Sequence, residues 1–273
     1  MDGILNLWPD RKSAGTGKVE DDFQPYLKLA LLEGRTSPLG AVIVLPGGAY
    51  TNRADHEDMC VAKKFNELGF HAAVAEYRVA PYRYPAPQQD AMRSIAMMRF
   101  YAKEWGVSPE HIAVLGFSAG GHLAACCGTV ALDVDRSAGD GIDGVSARPD
   151  AMILCYPVIS SVPGITHQGS INQLGGSRAA DRDFLELAAL ENQVRPDTPP
   201  AFLFHTATDQ SVNVENSVRF ARAMWKKGRR AELHVYPEGP HGVGLASDRM
   251  DVRTWPELAA NFLQVLGFPR AQR

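Results

Sequence analysis

Cysteine is scarce in this chain: four residues among 273, Cys60, Cys126, Cys127 and Cys155. None forms a Cys-x-x-Cys pair, and three sit inside apolar segments. A disulfide framework or a thiolate zinc site is therefore not expected, and the thiols read as core residues. Neither sign of charge is in large excess: 28 Lys and Arg against 31 Asp and Glu give a net charge of −3. That balance lacks the basic footprint of a nucleic-acid binder and the polybasic anchor of a membrane-surface protein. No uninterrupted apolar run approaches the roughly 20 residues of a membrane span. Residues 1–10 lack the cationic-then-apolar order of a signal peptide, so a soluble, cytoplasmic chain is expected. No Gly-x-Gly-x-x-Gly opens a helix after the first strand, no Walker-type lysine follows a glycine loop, and no zincin-like spacing occurs. Neither cofactor nor metal is expected. Repeats, low-complexity stretches and a domain linker are also missing, so residues 1–273 are read as one domain.

What the chain does have is a regular alternation of short apolar runs and helical stretches. Predicted strands are Tyr26–Leu32, Ala41–Leu45, His71–Tyr77, Ile112–Gly116, Ala151–Tyr156, Ala201–His205 and Glu232–Tyr236. Their hydrophobicity is continuous rather than alternating, which suits parallel strands covered on both faces. Predicted helices are Asp58–Leu68, Gln88–Trp105, Val212–Lys227 and Pro256–Leu266. Met92, Met97 and Met98 fall on the second of these and read as packing residues. The pattern predicts an α/β fold with a mostly parallel sheet. Asp133–Pro149, rich in Asp, Gly and Ser, reads as a surface loop. Pro157–Pro200 is long for a connection, holds a helix candidate at Asp183–Leu190, and is read as a lid or binding loop inserted before the penultimate strand.

The chemistry concentrates at Val114-Leu115-Gly116-Phe117-Ser118-Ala119-Gly120-Gly121-His122. An apolar run ends in Gly-x-Ser-x-Gly and passes into a small-residue helix, the pattern of a nucleophile elbow. At Gly116 and Gly120 a Cβ is expected to strike neighbouring backbone. A serine hydroxyl needs a base, an acid that orients the base, and donors for an oxyanion. His241 is the predicted base: it lies in a Gly- and Pro-rich loop directly after Glu232–Tyr236. His71, His111, His205 and His234 fall at or inside strands and read as structural; His56 and His167 are lesser loop alternatives. His122 is expected to pack near the site without acting as base. Asp209, just past Ala201–Thr206, is the predicted acid; its competing reading is a helix N-cap, for which Ser211 is better placed. Glu238 sits too close in sequence to His241 to orient it. The turn Pro46-Gly47-Gly48-Ala49-Tyr50 supplies the predicted oxyanion donors, the N–H groups of Gly48 and Ala49, with Ala119 as the third. Taken alone, that turn is also compatible with an ordinary type II turn. Tyr50 is read either as bordering the pocket or as covering the sheet edge.

These residues resemble the α/β-hydrolase superfamily. Pro46–Tyr50, Tyr77-Arg78, Tyr84-Pro85, Asp90, Gly116–His122, Phe204–Asp209 and Gly239–Gly242 are similar to bacterial acetyl xylan esterases and bifunctional acetylxylan–feruloyl esterases. His167–Ser170 and Leu174–Gly176 look like the same subgroup. Pro46 stands where the hormone-sensitive-lipase-like pattern has histidine, which separates the chain from that group. The resemblance implies an α/β-hydrolase fold and hydrolysis of short acyl esters on sugars, with a small-molecule or oligosaccharide ester as partner. An amide-directed hydrolase (arylformamidase or peptidase-like) and a silent binding protein of the same fold are the alternatives.

Overall fold

The apolar runs pair into one eight-stranded sheet. The computed structural model describes residues 2–8, 23–34, 36–130, 132, 135–136 and 138–272. The strands are β1 (Asp2–Asn6), β2 (Tyr26–Ala30), β3 (Leu39–Leu45), β4 (His71–Glu76), β5 (Val107–Phe117), β6 (Ala151–Cys155), β7 (Ala201–Thr206) and β8 (Ala231–Tyr236). Their order across the sheet is β1-β2-β4-β3-β5-β6-β7-β8. β1 and β4 each pair antiparallel with β2, and every other pair is parallel. The principal helices are α1 (Met59–Glu67), α2 (Ala86–Phe100), α3 (Ala102–Trp105), α4 (Ser118–Thr129), α5 (Gln168–Gly175), α6 (Arg182–Ala188), α7 (Glu215–Lys226) and α8 (Trp255–Val265).

Every residue of β3, β4, β6 and β7 is buried, because helices cover both faces. One core joins α2, α4 and α7 to the sheet through Ile95, Leu123, Phe220 and Met224. The other packs α1 and α8 through Val61, Phe65, Trp255 and Leu263. Each such apolar side chain contributes about 1.5–3 kcal/mol when fully buried. Cys126, Cys127 and Cys155 are buried and Cys60 is exposed; all four are free thiols. None of the described helices is long and apolar enough to cross a membrane.

The structure departs from the sequence expectation at β1, at α2–α3 and at the start of α7. β1 was not predicted: it is a five-residue edge strand, held by pairing with β2 rather than by its own pattern. The single helix predicted over Gln88–Trp105 is two, α2 and α3, interrupted at Tyr101, whose ring stacks on Trp105 at 4.9 Å. The helix predicted from Val212 starts at Glu215, because Asp209 holds the preceding residues in a turn. Within the predicted loop 133–149, residues 133, 134 and 137 lie outside the described residues, as do 1, 9 and 10 of the leader reading.

The chain passes from β3 to β4 on one side, then returns to place β5 on the other side of β3. Parallel sheets open a crevice at such a reversal, beyond the carboxyl ends of the strands. The turn after β3 and the elbow after β5 face each other there.

Candidate active site

Glycines make the elbow possible. A Cβ on Gly116 would lie 2.0 Å from the Gly120 carbonyl oxygen, and one on Gly120 would lie 2.1 Å from that of Leu45. Backbone cannot yield at such distances, so both sites require glycine. Ser118 itself sits at φ 52°, a left-handed conformation that lifts its side chain out of the strand line.

The loops after β7 and β8 bring two side chains to this serine. His241 Nε2 lies 2.8 Å from Ser118 Oγ, and His241 Nδ1 lies 2.6 Å from Asp209 Oδ2. Since a carboxylate only accepts, the Nδ1 nitrogen carries the proton, and Nε2 offers its lone pair to the serine hydroxyl. Ser118, Asp209 and His241 thus converge as expected from three separate strand ends. Glu238 stays exposed in the loop before His241.

Asp209 does more than either sequence reading allowed. Its Oδ1 accepts the N–H groups of Ser211 and Val212 at 2.8 and 2.9 Å, while Oδ2 faces His241. Asp209 thus closes the turn before α7 and orients His241, but neither it nor Ser211 caps α7, which starts only at Glu215. Burial opposes ionisation of Asp209, but hydrogen bonds from His205, His241 and the Val212 N–H outweigh it and hold the carboxyl well below the usual range. The ionised form therefore stabilises the fold above pH ~4, and that contribution fades as acid protonates the carboxyl. His205, fully buried, is fixed by Ser217 Oγ at 2.8 Å and the Val212 carbonyl at 2.9 Å, with Asp209 Oδ2 at 3.4 Å.

The turn after β3 backs onto the elbow. Ala49 and Tyr50 both adopt positive φ, 55° and 60°. Among the described residues, no acceptor takes the N–H groups of Gly48, Ala49 or Ala119. Tyr77 Oη holds the turn from behind by donating to the Pro46 carbonyl at 2.5 Å.

Tyr50 is buried, 1% exposed, and its hydroxyl lies 2.8 Å from His122 Nδ1. His122 Nε2 donates to the Ala188 carbonyl at 3.1 Å, so Nδ1 accepts from Tyr50. This chain of bonds ties the turn to Ala188, in the segment between β6 and β7. Burial pushes the His122 imidazole down to about 4, against the upward pull of the Ala188 bond. At pH 5 the unfolded imidazole binds a proton and the folded one does not. Acid therefore favours unfolding, and stability falls between pH ~6.5 and ~4 by up to about 1.4 kcal/mol per unit. Denaturant titrations should show a flatter pH dependence for His122→Gln in that window.

In the segment between β6 and β7, His167 lies within electrostatic reach of His241 and Asp209. Its Nδ1 accepts the Ser170 N–H at the start of α5, and burial lowers its proton affinity. Sequence reasoning missed Tyr156, whose ring meets His241 edge-on at 5.1 Å, and the buried Glu57 that binds it. Glu57 reads in sequence as one more acid before a helix. No grouping of three His, Cys, Asp or Glu suited to a metal occurs among the described residues.

The chain is 33% identical over 249 residues to endo-1,4-beta-xylanase B of Butyrivibrio fibrisolvens, covering 89% of this chain and 38% of that protein. It is 31% identical over 276 residues to an acetylxylan esterase of Xylanibacter ruminicola, covering 98% and 53% respectively. The chain thus spans about half or less of those two relatives. Among solved structures, an acetyl ester-xyloside bifunctional hydrolase from Caldicellulosiruptor lactoaceticus superposes with a TM-score of 0.92 at 41% identity, over 98% of this chain and 97% of the other. A Thermogutta terrifontis esterase with bound propionate superposes at 0.80 with 25% identity, over 100% and 97%. A family model named BD-FAE matches residues 27–224. With the sheet order, the elbow and this match in agreement, the chain belongs to the BD-FAE family of α/β-hydrolases.

Proposed function

We propose that the protein is a serine esterase that removes short acyl groups, acetyl foremost, from sugars such as xylo-oligosaccharides. The observation that carries this is the continuous Asp209–His241–Ser118 chain of hydrogen bonds, 2.6 and 2.8 Å long. Ser118 Oγ attacks the ester carbonyl as His241 Nε2 takes its proton. The carbonyl oxygen becomes an oxyanion held by the N–H groups of Gly48, Ala49 and Ala119, each worth ~3 kcal/mol in the transition state. The C–O bond to the sugar breaks, and His241 returns the proton to the leaving oxygen. Water, deprotonated by His241, then releases the acid and restores Ser118. Asp209 holds the imidazole in the right tautomer throughout.

The sugar-ester assignment draws on the relatives' names, an acetylxylan esterase and an acetyl ester-xyloside hydrolase. The xylanase name belongs to a protein of which this chain spans 38%, so it does not assign glycan cleavage to this part. We read residues 157–200 as the wall over the substrate, with His167 on its inner side. Rates on p-nitrophenyl acetate, acetylated xylo-oligosaccharides, feruloyl esters and N-formylkynurenine, measured side by side, test the assignment. Acetylated xylo-oligosaccharides should give the largest kcat/KM among the natural classes. Preference for N-formylkynurenine would replace the ester reading with an amide one.

A further inference from the structure

A buried acid outside the triad joins the two loops that flank it. Glu57 lies in the short turn Asp55–Glu57 before α1 and is 2% exposed. Its Oε2 accepts the Gly47 N–H at 2.8 Å. Its Oε1 accepts the Tyr156 hydroxyl at 2.6 Å. The same phenolic oxygen accepts the Gly244 N–H at 2.9 Å. Gly47 opens the oxyanion turn, and Gly244 closes the loop that carries His241. One carboxylate therefore ties together segments far apart in sequence.

The fit leaves no slack. A Cβ on Gly47 would lie 2.7 Å from Glu57 Oε2 and 3.0 Å from Ser118 Cβ. Burial first, then the Glu57 charge, push the Tyr156 phenol well above its usual range, so it keeps its proton and stays a donor. The preceding residue adds a second tie: His56 Nε2 donates to the Gly242 carbonyl at 2.9 Å. Stability alone gives little reason for such an acid, since desolvating a charge costs several kcal/mol and apolar packing of equal volume often serves as well. The bonds of Glu57 end on the loops that present the oxyanion donors and the imidazole.

We propose that Glu57 is a positioning residue, which holds the oxyanion turn and the His241 loop in register with Ser118 through Gly47 and Tyr156. The proposal rests on the esterase reading above. Displacing reacting groups by about 1 Å can lower turnover about 100-fold, so a partial loosening should show in kcat rather than in binding.

Glu57→Gln keeps an acceptor for the Gly47 N–H but turns an amide N–H toward Tyr156, which leaves the phenol proton without its acceptor and competes with the Gly244 N–H for the phenolic oxygen, so only the histidine arm is disturbed. Tyr156→Phe cuts the same arm from its other end. Hydrolysis of p-nitrophenyl acetate, scaled to active sites counted with a fluorophosphonate, reads both. Each variant should lose about tenfold in kcat with KM within about twofold, and the double variant should match either single one because they break one connection. A structural role would lower the melting temperature and leave kcat per active site unchanged; that result overturns the proposal, as do two losses that multiply in the double variant. Should Glu57→Gln not fold, Tyr156→Phe at wild-type kcat overturns it alone. A wild-type protein that neither hydrolyses the ester nor takes up the fluorophosphonate defeats the esterase reading and this inference with it. An active wild type whose variants match it defeats only the inference.

Discussion

Ser118→Ala is expected to lower kcat on p-nitrophenyl acetate by about 10⁶-fold and to abolish labelling by a fluorophosphonate. The size follows from the geometry. Ser118 Oγ is the atom to which His241 Nε2 is aimed, at 2.8 Å. Without it, only binding and oxyanion donors remain, and these leave a small residual acceleration over water. The fold should be unaffected, because the variant removes one hydroxyl and adds no volume. A melting temperature within about 2 °C of wild type, measured alongside the rate, would confirm that chemistry alone was lost. Retained turnover would show that another nucleophile does the work.

Asp209→Asn is the second large effect, a fall in kcat of about 10⁴-fold, as for the analogous change in a serine protease. The asparagine carbonyl can still accept the Ser211 and Val212 N–H groups, so the turn before α7 should persist. Its amide nitrogen would face His241 Nδ1 and force the imidazole proton onto Nε2. That proton would point at Ser118, and the base would be lost without any change of shape. Asp209→Ala should add a stability loss of about 1–3 kcal/mol per orphaned N–H, which separates the two duties of the residue. Asparagine with near-wild-type turnover would remove Asp209 from the mechanism.

The parts of the site that were legible in sequence are those whose constraints are local. Gly116 and Gly120 are needed within one tight turn, and the clash they avoid is with backbone a few residues away or on the adjoining strand. Ser118 and His241 could be placed because each follows a recognisable strand. Asp209 was legible in position but not in extent: one letter conceals two oxygens, and each serves a different neighbour. Tyr50 could not be read, since its partner His122 comes from another strand end and reaches on to Ala188. Glu57 and Tyr156 meet across 99 positions, and no local pattern links them. β1 failed for a related reason, because a five-residue edge strand draws its stability from β2 and not from its own periodicity.

Among the described residues, five that are not glycine have positive φ, and four of them, Ala49, Tyr50, Ser118 and Tyr156, crowd around the same crevice. Each such conformation costs about 1–3 kcal/mol. Replacement of Ser118 by glycine would relax one of them and yield a tougher but inert protein. Heat-resistance screening that ignores turnover would therefore drift toward dead variants, so any effort to harden this enzyme must select on both properties at once.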